Sequence, residues 1–174
     1  QERQVSADGT RKFLFRLRDG QTVESVIIPM ESHATFCLST QVGCAMACRF
    51  CATARGGLMR NLEAGEILEQ ITHLKRDLAA EAVPGHGDRL FNAVFMGMGE
   101  PLDNWDALPG ALATMMDPDG LAMSKRRITL SITTDSLGCA LQDALAGDPD
   151  LLLGDTLISM LAQAAAVPPP PGQE

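Results

Sequence analysis

Cys44, Cys48 and Cys51 form a C-x3-C-x2-C triplet inside the segment 35–60, TFCLSTQVGCAMACRFCATARGGLMR. Cysteine thiolates hold iron–sulfur clusters, and four of them close a [4Fe–4S] cluster. Three at this spacing, with no evident fourth, leave one iron open to another ligand. Zinc is the competing metal, but structural zinc takes four ligands, usually as two spaced pairs. Besides the triplet there are only Cys37, seven residues upstream, and Cys139, and the three histidines, His33, His73 and His86, make no pair at a ligand spacing. A disulfide framework suits neither the odd count of five cysteines nor an N-terminus without an apolar signal segment. Core packing does not account for three thiols so close together. Phe50, between the second and third cysteines, reads by itself as packing.

These thiols need elements to position them, and the chain supplies alternating ones. Residues 11–18 (RKFLFRLR) alternate apolar and basic, Asp19-Gly20 turns, and 21–28 (QTVESVII) forms a second strand, which predicts a β-hairpin. Residues 34–39 (ATFCLS) form a short buried strand that feeds the cysteine loop. A helix is expected over 62–81, with Ile67, Ile71, Leu74 and Leu78 on one stripe, ended by Pro84-Gly85. Residues 91–96 (FNAVFM) form a buried strand that runs into the turn 97–101 (GMGEP). A helix over 105–116, a turn at 118–120 and a strand over 127–133 follow. Strand, helix, strand, helix, strand implies right-handed parallel βαβ units. In such folds the chemistry sits beyond the C-terminal strand ends. The cysteine loop, the 97–101 turn and Ser131 fall at three successive ends, on one rim. A full barrel needs roughly 200–250 residues, and three barrel strands are evident. The fold class is therefore α/β, the front half of a barrel preceded by a β-hairpin.

Composition bounds the rest. The chain is 45% hydrophobic and 21% charged, as in an ordinary globular domain. It has no run of eighteen apolar residues, so no membrane helix is expected. A thiol-rich loop without a secretory signal suggests a reducing cytoplasm. The net charge of −8 argues weakly against nucleic-acid binding, but it is unevenly spread. All 14 basic residues and 16 of the 22 acids lie in 1–134, which carries −2; the segment 135–174 has six acids and no base. That break near Asp135, with the PPPPGQE end, marks an acidic tail expected to be disordered at its end. The divisions are thus a hairpin segment (1–33), a partial barrel (34–134) and the tail (135–174).

Taken together, VESVIIP, the cysteine segment through Leu62, NAVFMGMGEPLDN and GLAMSKRRITLS resemble the radical S-adenosylmethionine (SAM) adenosine methyltransferases of 23S ribosomal RNA and transfer RNA. The resemblance covers about residues 5–131. It implies a radical SAM barrel and a [4Fe–4S] cluster on Cys44, Cys48 and Cys51, whose open iron binds SAM. It implies that Phe50 contacts the adenine of SAM, that Gly99 and Glu100 hold its amino group, and that Ser131 is a further SAM contact. In such enzymes one SAM methylates a cysteine near the C-terminus, and a second yields a 5′-deoxyadenosyl radical that activates this methyl for addition to C2 of an adenine. Glu24 matches the general base that then removes the adenine proton, and Cys37 matches the cysteine that releases the product. The implied partners are 23S ribosomal RNA, with transfer RNA as a second target, and an electron donor such as flavodoxin, for a monomer. On their own chemistry Glu24 reads as an exposed strand carboxylate, Cys37 as a buried strand cysteine, Glu100 as a solvated turn carboxylate and Ser131 as an edge-strand hydroxyl. Arg55, Arg60, Lys125, Arg126 and Arg127 are candidate phosphate contacts.

The pattern stops after Ser131. Residues 132–147 (ITTDSLGCALQDALAG) carry no Ser-Leu-His segment, and Cys139 sits in a helix-like context as an incidental cysteine. The sequence therefore leaves two functions open: an RNA methyltransferase represented by an incomplete chain, or a non-catalytic cluster- and SAM-binding fragment.

Overall fold

The computed structural model describes residues 2–48, 51–81 and 91–133. Eight strands and two α-helices occur there: β1 (Glu2–Val5), β2 (Arg11–Arg16), β3 (Thr22–Pro29), β4 (Ala34–Cys37), β5 (Gln41–Gly43), β6 (Leu58–Asn61), α1 (Ala64–Ala80), β7 (Phe91–Phe95), α2 (Leu108–Met116) and β8 (Ile128–Leu130).

Six strands form one sheet in the order β1-β2-β3-β4-β7-β8. The β2–β3 hairpin is antiparallel and pairs Leu14 with Glu24 and Phe15 with Val23. Its turn forms as expected: Gly20 takes φ +87°, and the Asp19 carboxylate accepts from the Gln21 N–H at 3.0 Å. β3 then pairs antiparallel with β4, so the hairpin continues the barrel sheet. β4, β7 and β8 are mutually parallel, in register Cys37–Val94 and Val94–Thr129. This is the βαβ arrangement of a partial barrel. The small strand β1, exposed throughout, was not expected; it holds its place by pairing with β2.

One face of the sheet is apolar and packed. Phe13, Phe15, Val23, Ile27, Ala34, Phe36, Ala93, Phe95 and Ile128 share a single core with Ile67, Ile71, Leu74 and Leu78 of α1 and Leu108, Leu112 and Met115 of α2. Burying each large side chain contributes about 1.5–3 kcal/mol. The predicted stripe of α1 is thus the face that packs. A capping box between Glu63 and Glu66 starts the helix at Ala64, inside the expected 62–81 span. Pro84 and Gly85 lie outside the described residues, as does the tail from residue 134.

The helix expected over 105–116 starts later, as α2 from Leu108, and a 3-10 turn, Pro101–Asn104, precedes it. Pro109 is the reason. A helix begun at 105 would place it in the interior, where it has no N–H to donate; at the start of α2 that donor is not needed.

Candidate functional site

The cysteine loop leaves β4 through Ser39, Thr40 and Gln41, all buried, and enters the two-stranded β5–β6 sheet. β5 and β6 pair antiparallel with a register shift at Val42/Gly43. The Cys44 N–H donates to the Gly57 carbonyl at 3.1 Å, closing the base of the loop. A side chain at Gly43, φ +80°, would run into that same carbonyl.

Within the loop Cys44 is buried, and Cys48 and Cys51 are half-buried; none of these thiols is in a disulfide. The Cys51 N–H donates to the Cys48 carbonyl at 3.0 Å. Backbone N–H donation, from Ala54 above all, lowers the Cys51 pKa. Burial raises that of Cys44, and Cys51, Glu100 and Cys48 are near enough to add to the rise. Ala47 takes φ +51°, a left-handed conformation for a residue with a side chain, so the loop stores strain between its first two cysteines. Among the described residues no three Cys, His, Asp or Glu side chains close on a common metal position. Arg49 and Phe50 lie outside the described residues.

The 97–104 turn packs directly under the loop. The Thr40 and Gln41 N–H groups donate to the Met98 carbonyl, at 2.9 and 3.2 Å, and the Gly97 N–H donates to Leu38 at 2.9 Å. Glu100 is only 3% exposed, which removes the solvated-carboxylate reading. Its carboxylate accepts from the Thr133 N–H at 3.0 Å and the Leu102 N–H at 3.5 Å. Thr133 Oγ1 in turn donates to Met46 Sδ at 3.4 Å, tying the segment after β8 to the cysteine loop. Ser131 is exposed at the end of β8, where its N–H donates to Phe95 at 3.4 Å. The cysteine loop, the Glu100 turn and residues 131–133 thus meet on one rim, as the parallel strands require.

Glu24 and Cys37 lie on the sheet face away from the helices. Cys37 pairs with Val26, two residues from Glu24 along β3, so both side chains project to the same side. Glu24 is half-buried and ion-paired with Lys12 at 3.0 Å. Its backbone is fixed on both sides, with the carbonyl accepting from Ser39 Oγ at 2.6 Å and the N–H meeting Met98 Sδ at 3.3 Å. Burial pushes the Cys37 thiol up, with a smaller opposing effect from the Met96 N–H. A releasing cysteine is expected to be an activated, reachable thiolate; this one is half-buried, with its pKa moved the other way.

The candidate phosphate contacts separate. Arg60 spans Asp19 at 2.6 Å and both Glu66 oxygens at 2.8 Å, so its charge is engaged inside the protein. Lys125, Arg126 and Arg127 form a 3-10 turn before β8, at the end of the sheet opposite the cysteine loop. Arg55 alone of the five is exposed within the cysteine loop itself.

No family model matches the chain. It is 46% identical over 153 residues to the dual-specificity RNA methyltransferase RlmN of Dinoroseobacter shibae, covering 80% of this chain and 39% of that protein. It is 54% identical over 129 residues to the enzyme of the same name from Desulfosudis oleivorans, covering 74% and 33%. Over the matched residues the chain is similar to RNA methyltransferases of this name. A crystal structure of a radical SAM methyltransferase from Sphaerobacter thermophilus superposes with a TM-score of 0.72 at 38% identity, covering 86% of this chain and 42% of that one. The chain therefore spans well under half the length of these family members.

The donor set fits the family's cluster. Three free thiols share one loop, and backbone N–H groups favour the thiolate at Cys51, although the three sulfurs do not converge on one position here. The fit is one of donor type: cysteine sulfur is what such a cluster takes. What sequence reasoning passed over is the framework beneath: Gln41 and Asn104, fully buried, and Gln70, 3% exposed. Their signal is polarity inside otherwise apolar elements, as with Gln70 on the buried stripe of α1.

Proposed function

We propose that this chain carries part of the active site of a methyltransferase acting on C2 of an adenine in 23S ribosomal RNA, with transfer RNA as a second target. The observation that carries the proposal is the burial of Glu100 against the cysteine loop on the rim of parallel strands. Cys44, Cys48 and Cys51 would hold a [4Fe–4S] cluster. Glu100 and Gly99 would hold the ammonium of SAM, with Ser131 and Phe50 as further contacts. When bound, the cluster and SAM supply the electron and the radical chemistry that an unactivated adenine carbon demands.

The remaining steps belong to the chain's own side chains. Glu24, on the face that Cys37 shares, takes the proton from the adenine carbon. Its ion pair with Lys12 orients it, and release of Lys12 frees it to accept. Cys37, as its thiolate, attacks the sulfur of the thioether that joins a methyl-bearing cysteine to the RNA; an S–S bond forms between the two cysteines, the S–C bond breaks, and the carbon keeps its electron pair and takes up a proton as the product methyl group. The half-buried Cys37 thiol then has to lose its proton at that step, with bound substrate supplying the driving force. Arg55 is the phosphate contact best placed for this site. An electron donor such as flavodoxin delivers the electron, and the protein works as a cytoplasmic monomer. The described residues contain no helix long and apolar enough to cross a membrane.

Electron paramagnetic resonance tests the proposal. The chain is reconstituted without oxygen, reduced, and its spectrum recorded with and without SAM. A reduced [4Fe–4S] signal that shifts on adding SAM supports the reading. A cluster blind to SAM, or no cluster, overturns it.

A further inference from the structure

We propose that Gln41 is a positioning residue that fixes Glu100 beneath the cysteine loop, and so sets SAM affinity without touching SAM. The inference rests on Glu100 as the site of the SAM ammonium.

Gln41 is fully buried, and its side-chain amide is spent on two contacts. Oε1 accepts from the Glu100 N–H at 2.8 Å, and Nε2 donates to Asn61 Oδ1 at 2.8 Å. Asn61 in turn donates from Nδ2 to the Asp103 carbonyl at 3.2 Å. Two amides in series, Gln41 and Asn61, therefore join the first residue of β5, the last of β6 and the 3-10 turn, at Glu100 just before it and at Asp103 within it. The backbone adds a third grip, since the Gln41 N–H reaches the Met98 carbonyl at 3.2 Å. Close packing completes the clamp. Gly99 takes φ +99°, and a Cβ there would lie 2.5 Å from Gln41 Cβ. Only a glycine lets the turn approach Gln41 this closely.

The consequence is geometric. Gln41 lies three residues before Cys44, on the strand that delivers the cysteine loop. Any movement of that strand moves the Glu100 N–H, and with it the carboxylate. A site that must hold both ends of one ligand, at a metal and at a carboxylate, works only if their separation is fixed. Gln41 is the side chain that fixes it.

The test uses the full chain and two readouts. Amide exchange of the cluster-free protein, followed by mass spectrometry, reports residues 97–104 and α1 separately. SAM affinity is then measured on the reconstituted protein. Gln41→Met removes both amide bonds at near-constant volume. It is expected to speed exchange over 97–104, leave α1 unchanged, keep iron content and weaken SAM binding about tenfold, or about 1.4 kcal/mol. Gln41→Glu is the rescue. Protonated, its carboxyl keeps both bonds; ionised, it loses the donor to Asn61. Burial raises such a carboxyl, so affinity should approach wild type near pH 6 and fall by pH 8, relative to wild type at each pH.

Unchanged exchange over 97–104 in Gln41→Met, or faster exchange with unchanged SAM affinity, overturns the proposal. If Gln41→Met also loosens α1, the decision passes to Asn61→Ala at an exposed position. That variant should keep α1 intact and still weaken SAM binding about threefold; no weakening overturns the proposal. If wild type carries its cluster but fails to bind SAM, Glu100 is not the SAM site, and the underlying reading falls regardless of what exchange shows.

Discussion

Replacing Gly99 with alanine separates two costs that the turn under the cysteine loop imposes together. The first is conformational: φ +99° is unfavourable for any residue with a Cβ, by about 1–2 kcal/mol. The second is steric. The new methyl would lie 2.5, 2.7 and 2.8 Å from Gln41 Cβ, Cγ and N, and relieving such overpacking costs about 1–3 kcal/mol. Gly99→Ala should therefore destabilise the chain by about 2–5 kcal/mol. Two other glycines isolate the parts. Gly20 has φ +87° with nothing within 4 Å of an added Cβ, so Gly20→Ala carries only the conformational cost. At Gly97 no left-handed φ is required, but a Cβ would sit 2.6 Å from the Leu38 carbonyl and from Ser39 Oγ, so Gly97→Ala carries only the steric one. Urea unfolding of the cluster-free chain, followed by far-ultraviolet circular dichroism, gives the three midpoints; a common m value permits direct comparison. The expected order of loss is Gly99→Ala, then Gly97→Ala, then Gly20→Ala. A Gly99→Ala variant no less stable than Gly20→Ala would show that the turn does not press on Gln41, and the positioning argument would fail with it.

Three further outcomes follow from the same contacts. Gln70→Leu should cost about 3 kcal/mol or more in urea unfolding, because Ser25 Oγ and the Ser39 N–H lose their shared acceptor and the Ser39 carbonyl loses its donor, all in the core. The Arg60 guanidinium holds the Glu66 carboxyl below its ordinary value of 4.5. A depressed carboxylate stabilises above its unfolded pKa, and that stability is lost as pH falls through the folded one. Wild type should therefore lose stability below about pH 4.5, and Arg60→Leu should flatten that part of the curve in urea titrations across pH. Burial that raises the Cys37 thiol should slow its alkylation by iodoacetamide at pH 8 by about tenfold relative to the urea-unfolded chain. Peptide mapping of the modified chain would contradict this if Cys37 reacted equally fast in both.

The long, periodic parts of this fold were legible because their signal is repeated. Four residues on one stripe placed α1 within two residues at its start and one at its end, and alternation placed β2 and β3. The parallel order of β4, β7 and β8 followed from the alternation of element types. β5 and β6 were not legible: at three and four residues they are too short to show a period. Their pairing is decided by the Gly57 carbonyl that receives Cys44, a contact with no sequence signature. The candidate site divides the same way. Residue types and spacing picked out the cysteines; Glu100 was picked out through the family resemblance alone, since by its own chemistry it reads as a solvated turn carboxylate. The commitment of Arg60 to Asp19 and Glu66 depends on partners 41 and six residues away in sequence, which spacing cannot reveal.

The polar residues that spacing could not interpret explain how separate segments become one site. Ser39, Thr40 and Gln41 are consecutive, yet they bind in different directions. Ser39 Oγ donates to the Glu24 carbonyl and accepts from the Met98 N–H at 2.8 Å, while the Ser39 main chain is held by Gln70 of α1. The Thr40 carbonyl accepts from the Leu62 N–H and from Asn104 Nδ2, which also donates to the Leu62 carbonyl. Gln41 holds Glu100 and Asn61. Three residues thus register the strand of Glu24, the turn of Glu100 and the exit of the cysteine loop against one another and against α1. Each bond replaces a hydrogen bond to water and adds only about 1 kcal/mol net, but losing a partner in this buried setting costs the full desolvation of the group left behind. The network is therefore a weak source of stability and a strong source of geometry. The site proposed above, which has to keep three thiols, a buried carboxylate and a strand carboxylate in fixed relation, needs that geometry more than it needs another apolar contact.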